Sequence, residues 1–92
     1  MGKIRRLYLS PEAYEDFQLI TEPLRARVLR RLRMLKQFPK MGKSMPGEFA
    51  GFRATTVELF RIFYRVTDRG VEVAYIRHCK RQLPQTTTRR GK

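Results

Sequence analysis

This 92-residue chain has no tryptophan, one cysteine and one histidine, and only 8 acidic residues against 21 lysines and arginines. A lone Cys79 excludes an internal disulfide, and with His78 as the only histidine no metal-ligand cluster can be assembled, so neither metal nor cofactor is expected. No apolar run approaches the roughly 20 residues that span a bilayer, and no signal peptide is visible. A cytoplasmic location without a membrane partner is therefore expected. The shortage of acid leaves a formal charge of +13. Such a charge opposes compaction and favours polyanions through field steering and counterion release. RNA, DNA or an acidic protein are the natural partners.

What is present is enough for one modest core, and a single domain over 1–82 is expected. Residues 3–9 read as a strand. Ser10, Pro11 and Glu12 form a helix start: a hydroxyl cap, a proline at the first helical position and an acid where the helix dipole favours it. Ala13, Phe17 and Ile20 give that helix its buried stripe. Thr21, Glu22 and Pro23 repeat the start signal, and Leu24, Val28, Leu32 and Leu35 run at helical spacing to Phe38, before the stop at Pro39. Residues 39–51 have the glycine and proline content of a loop. Three strands follow at about 52–57, 59–66 and 71–78, the last two joined by a turn around Asp68, Arg69 and Gly70. The expected architecture is α+β, with a two-helix hairpin packed on a small, mostly antiparallel four-stranded sheet. The basic tail over 83–92 has no apolar anchor and is expected to be disordered.

Strand alternation sends Phe60, Ile62, Tyr64 and Val66 to one face and Arg61, Phe63 and Arg65 to the other. In VEVAYIRHCK it sends Val71, Val73 and Tyr75 one way and Glu72, Ala74, Ile76, His78 and Lys80 the other. If the apolar sides share a core, Arg61, Arg65, His78 and Lys80 share the opposite face. Cleavage of RNA by its own 2′-hydroxyl needs a proton acceptor, a proton donor for the leaving 5′-oxygen and positive charge around the phosphate. His78 is the side chain whose ordinary pKa lies near neutrality, and Arg61 and Arg65 can clamp phosphate oxygens. Glu58, at a turn, offers a carboxylate base. The plainer readings are a strand histidine without chemistry, a solvated arginine face and a solvated turn glutamate. Arg27, Arg30 and Arg33 recur every three residues on the second helix, as either a solvated face or a surface for a nucleic-acid backbone. Cys79 and His78, adjacent on a strand, point to opposite faces and make a poor dyad.

The segments LSPEAYEDFQLI, RVLRRLRMLKQFPKMG and EFAGFR, followed by FRIFYRV and VEVAYIRHCKR, resemble in order and spacing the RelE/ParE superfamily of type II toxin–antitoxin toxins, over about residues 3–81. The resemblance implies a compact toxin neutralised by a cognate acidic antitoxin, the pair contacting operator DNA only as a complex. In the RelE-like branch it implies a metal-independent endoribonuclease that enters the ribosome and cuts mRNA. Arg61 matches the strand arginine of that branch that contacts the scissile phosphate. Arg53 falls in the preceding strand, where basic residues hold RNA, and His78, Lys80 and Arg81 fall in the segment that completes the site. The expected assignment makes Arg61, His78, Arg81 and Glu58 catalytic, gives RNA contacts to Arg53, Arg65 and Lys80, and has Arg27, Arg30 and Arg33 grip ribosomal RNA. Two departures from the RelE-like pattern are the lone Arg53 in place of paired lysines, and LPQTTT where a tyrosine commonly follows the last strand. The alternatives are a ParE-like inhibitor of DNA gyrase and a non-catalytic basic RNA-binding or inactive toxin-fold protein.

Overall fold

The computed structural model describes residues 6–79; the expected tail over 83–92, with Lys80 and Arg81, lies outside the described residues. Strand β1 (Arg6–Leu9) leads through Ser10 into helix α1 (Pro11–Gln18), followed by α2 (Leu24–Gln37). Ser10 Oγ accepts the Ala13 N–H at 3.0 Å, so it caps α1 as its sequence position predicts. The same hydroxyl donates to the Ala74 carbonyl at 2.7 Å, tying the helix start to the sheet. At the start of α2 no side chain caps from Pro23, but Glu22 accepts the Ala26 N–H at 3.1 Å and satisfies one of the orphan donors.

The rest of the chain is β2 (Lys43–Ser44), a single 3₁₀ turn (Gly47–Phe49), β3 (Arg53–Val57), β4 (Phe60–Thr67) and β5 (Gly70–His78). The strand order is β1-β5-β4-β3-β2, with β1 parallel to β5 and every other pair antiparallel. The sheet thus has five strands where four were expected. The extra one is only two residues long, Lys43 opposite Ala54 and Ser44 opposite Arg53, in a segment whose glycines and prolines read as loop.

Val28, Leu32 and Leu35 of α2 and Ala13 of α1 are buried against Ile62, Tyr64, Val71, Val73 and Ile76. Each fully buried aliphatic side chain contributes about 1.5–3 kcal/mol of transfer free energy. Phe38, which continues the apolar series, is the residue after α2 and stays 58% exposed.

The feature that decides the site is a register shift between β4 and β5. Phe63 faces Tyr75, yet the next residue, Tyr64, faces Val73, so Ala74 is an extra residue on β5. A bulge of this kind reverses the alternation beyond it. Val71 and Val73 point into the core as expected, but after Ala74 it is Ile76, 3% exposed, that is buried, while Tyr75 turns outward. Side-chain partners support the interrupted ladder: Ser10 Oγ takes the Ala74 carbonyl, and Asp16 accepts the Ile76 N–H at 3.2 Å.

Candidate nucleic-acid interface

With the helices on one face of the sheet, the other face carries Arg61, Phe63 and Arg65 from β4, opposite Arg77, Tyr75 and Glu72 of β5 respectively. Arg61 and Arg77 are direct cross-strand neighbours, an arrangement of like charges that is normally unfavourable. Each guanidinium lies over a ring of its own strand, Arg61 6.0 Å from the Phe63 centroid and Arg77 4.6 Å from that of Tyr75. Among the described residues neither arginine is ion-paired. Arg65 differs: its Nε meets Glu72 Oε1 at 3.0 Å, and it also lies over Phe52.

The floor made by Arg61, Phe63, Tyr75 and Arg77 is walled on one side by Met45, Glu48, Phe49 and Phe52, enclosing an open groove of about 660 Å³. That wall is fastened from the helix side. Tyr64 Oη donates to the Pro39 carbonyl at 2.7 Å and accepts the Gly42 N–H at 2.9 Å, while Arg53 Nη1 donates to the Gly42 carbonyl at 2.7 Å. Gly42 is buried so tightly that a Cβ would lie 2.6 Å from Tyr64 Oη and 2.8 Å from the Ala54 carbonyl oxygen. Burial pushes the Tyr64 phenol above its ordinary pKa, against the opposing influences of the Gly42 hydrogen bond and the Arg53 charge. Beyond Gly42, β2 pairs with β3 and the Met45 N–H donates to the Phe52 carbonyl, so both ends of the wall are held.

This geometry corrects several sequence expectations. Arg53 lies opposite the buried Tyr64, hence on the helix face, where it binds loop carbonyls; it does not share a face with Arg61. His78 lies opposite Phe60, two positions beyond the buried Ile76, and packs edge-on against the Phe60 ring at 5.2 Å. It is therefore on the face away from Arg61, because the bulge at Ala74 inverts the parity on which the shared face was predicted. Glu58 occupies the two-residue β3–β4 turn with φ +55° and pairs with Arg27 of α2 at 3.0 Å. The pair is solvent-exposed on both sides. Arg30 and Arg33 are exposed on α2. Arg61 and Arg65 are on the open face as expected.

Sequence reasoning missed Arg77, Tyr75 and the loop aromatics Phe49 and Phe52. A signal was present in β5: Tyr75 and Ile76 are adjacent apolar residues, and choosing Ile76 for the core sends Arg77 to the Arg61 face.

Three comparisons with known proteins bear on this arrangement. The family model described as the ParE toxin of the type II toxin–antitoxin system, parDE, matches residues 7–83. No curated protein matches. Among solved structures, a chain of the Mycobacterium tuberculosis RelBE2 toxin–antitoxin complex is similar at TM-score 0.75 and 21% identity, over 83% of this chain and 99% of that one. Isolated Escherichia coli RelE toxin aligns at TM-score 0.69 and 16% identity, over 83% and 85% of the two chains. A chain of the chromosomal ParDE system of P. aeruginosa aligns at 0.67 and 19%, over 84% and 98%. At these identities the structural likeness speaks for the fold, and the family model, spanning most of the sequence, places the chain in the ParE toxin family of type II toxin–antitoxin systems, within the RelE/ParE superfamily.

Proposed function

We propose that this toxin is an mRNA endoribonuclease that acts on the ribosome and is held inactive by a cognate acidic antitoxin. The observation that carries the reading is the pair Arg61 and Arg77, cross-strand neighbours on the open face, each over a ring, Phe63 and Tyr75 respectively. Two cross-strand arginines that have no carboxylate partner among the described residues are relieved by an anion between them, and arginines interleaved with aromatics suit an unstacked strand of RNA. In the reaction the ribose 2′-oxygen attacks phosphorus, its proton passes to a base, and the bond to the 5′-oxygen breaks as that oxygen gains a proton. The products are a 2′,3′-cyclic phosphate and a 5′-hydroxyl. Arg61 and Arg77 stabilise the extra negative charge at phosphorus. Glu48 is the carboxylate lining the groove and takes the role of base in place of His78 and Glu58. Lys80 and Arg81, which follow Cys79 in the sequence, add to RNA contact, and Arg30 and Arg33 form the part of α2 that meets ribosomal RNA.

A second reading is inhibition of DNA gyrase, favoured by the parDE description of the matching family model. Mapping new mRNA 5′ ends minutes after induction separates the two. Cuts within translated frames that disappear with Arg61→Ala and Arg77→Ala support the ribonuclease. Intact mRNA with blocked supercoiling by the purified protein transfers the assignment to gyrase.

A further inference from the structure

The Arg61–Arg77 groove is one half of a longer surface. A second cavity of about 310 Å³ opens on the same face, and its lining includes Tyr8, Phe52, Arg65 and Glu72. Phe52 borders both cavities, so the two meet at this residue. Arginine–aromatic stacking also continues into the second: Arg65 lies 5.7 Å from the Phe52 ring centroid, and Arg69, in the β4–β5 turn, lies 5.2 Å from that of Tyr8. Tyr8 of β1 sits beside Glu72 in the parallel ladder, and Glu72 beside Arg65, so these residues form one row across the sheet.

We infer that the two cavities form one track for single-stranded RNA about four nucleotides long, one nucleotide for each arginine–aromatic pair, at the small end of the site sizes such surfaces have. Arg65 with Phe52 and Arg69 with Tyr8 bind the strand beyond the phosphate held by Arg61 and Arg77. The inference rests on the ribonuclease reading for the identity of the ligand. It adds a two-nucleotide subsite that takes phosphate and two unstacked bases and performs no chemistry. Glu72 moderates this subsite: its carboxylate meets Arg65 Nε across the strand pair and competes with RNA phosphate for that guanidinium.

The test is fluorescence anisotropy of the full chain with labelled 2′-O-methyl oligouridylates of two to eight nucleotides, which cannot be cleaved at the 2′-oxygen. Affinity is expected to climb with length to about four nucleotides and then level off. Arg69→Gln and Tyr8→Leu should each weaken binding of the six-mer about tenfold while leaving the dimer unchanged, and Arg61→Gln should weaken every length. Glu72→Gln should tighten the six-mer. Tyr8→Leu keeps the net charge, so its effect separates stacking from the general attraction of a basic protein. A plateau at two nucleotides, or wild-type binding of the six-mer by both Arg69→Gln and Tyr8→Leu, overturns the track. Absence of new mRNA 5′ ends alongside the expected length profile would remove the ribonuclease reading and leave the track standing; mapped cuts with a flat profile would do the reverse.

Discussion

Tyr64→Phe is the perturbation whose cost follows most directly from the structure. The substitution keeps the ring, which is fully buried, and deletes one oxygen that has two partners. The buried Gly42 N–H loses its acceptor. The Pro39 carbonyl, at a half-buried position, regains solvent more easily. One stranded buried donor costs about 1–3 kcal/mol. Against a domain stability on the order of 5–15 kcal/mol, a loss of about 2 kcal/mol lowers Tm by about 8–16 °C. Urea unfolding should show a lower midpoint with an unchanged slope. The pH dependence supplies a second check. Burial raises the folded-state pKa of Tyr64 above the ordinary 10.0, so stability present below that value is lost as pH rises through the raised folded one. Phenylalanine cannot ionise, so the gap between wild type and Tyr64→Phe should narrow above about pH 10. A stability difference under about 0.5 kcal/mol, or a gap that is constant with pH, would refute the account of Tyr64 as the anchor of the groove wall.

Gly42→Ala should destabilise by about 1–3 kcal/mol through overpacking against Tyr64 and the Ala54 carbonyl, and calorimetry would register this as a lower Tm. Leu32→Ala, which empties a fully buried site in α2, should cost about 2–5 kcal/mol in urea unfolding. Arg77→Ala should abolish toxicity in a growth assay while leaving Tm equal or higher, since it removes a like-charge cross-strand neighbour of Arg61. Glu58→Gly should leave mRNA cleavage unchanged in the 5′-end assay, and stability should not fall: relief at φ +55° offsets the loss of an exposed ion pair with Arg27.

The fold was legible wherever one residue type fixed one local conformation. Ser10, Pro11 and Glu12 specify a helix start by local chemistry alone, and Val28, Leu32 and Leu35 specify a buried stripe by spacing alone. The faces of β4 were legible for the same reason, because its alternation is unbroken from Phe60 to Val66. The faces of β5 were not. A bulge depends on partners distant in sequence, here Ser10 and Asp16, and VEVAYIRH contains apolar residues on both sides of the break. Arg53 was misplaced for a related reason. A charged residue on a core-facing position reads as exposed until the loop carbonyls that receive it are known. Strand β2 escaped because a two-residue pairing leaves no periodicity to detect.

The distribution of arginine across the two faces follows a consistent division. On the helix face each structural guanidinium has an oxygen to meet: Arg53 on the Gly42 carbonyl, Arg31 on the Thr55 hydroxyl, Arg27 on Glu58. These contacts are made within the chain. On the open face Arg61 and Arg77 rest on rings, which attract a cation but, unlike a carboxylate, leave its N–H donors available to a phosphate. The bulge at Ala74 creates this contrast. With regular alternation His78 would have been on the Arg61 face, and Arg77 would have been turned toward the helices, where a second core-side arginine would need further backbone oxygens. One extra residue in β5 thus moves a positive charge out of the core side, moves an imidazole into it and puts a second guanidinium beside Arg61. The charge excess read from composition becomes a directed surface only at that point, so the anion site depends on the register of β5 more than on the number of basic residues in the chain.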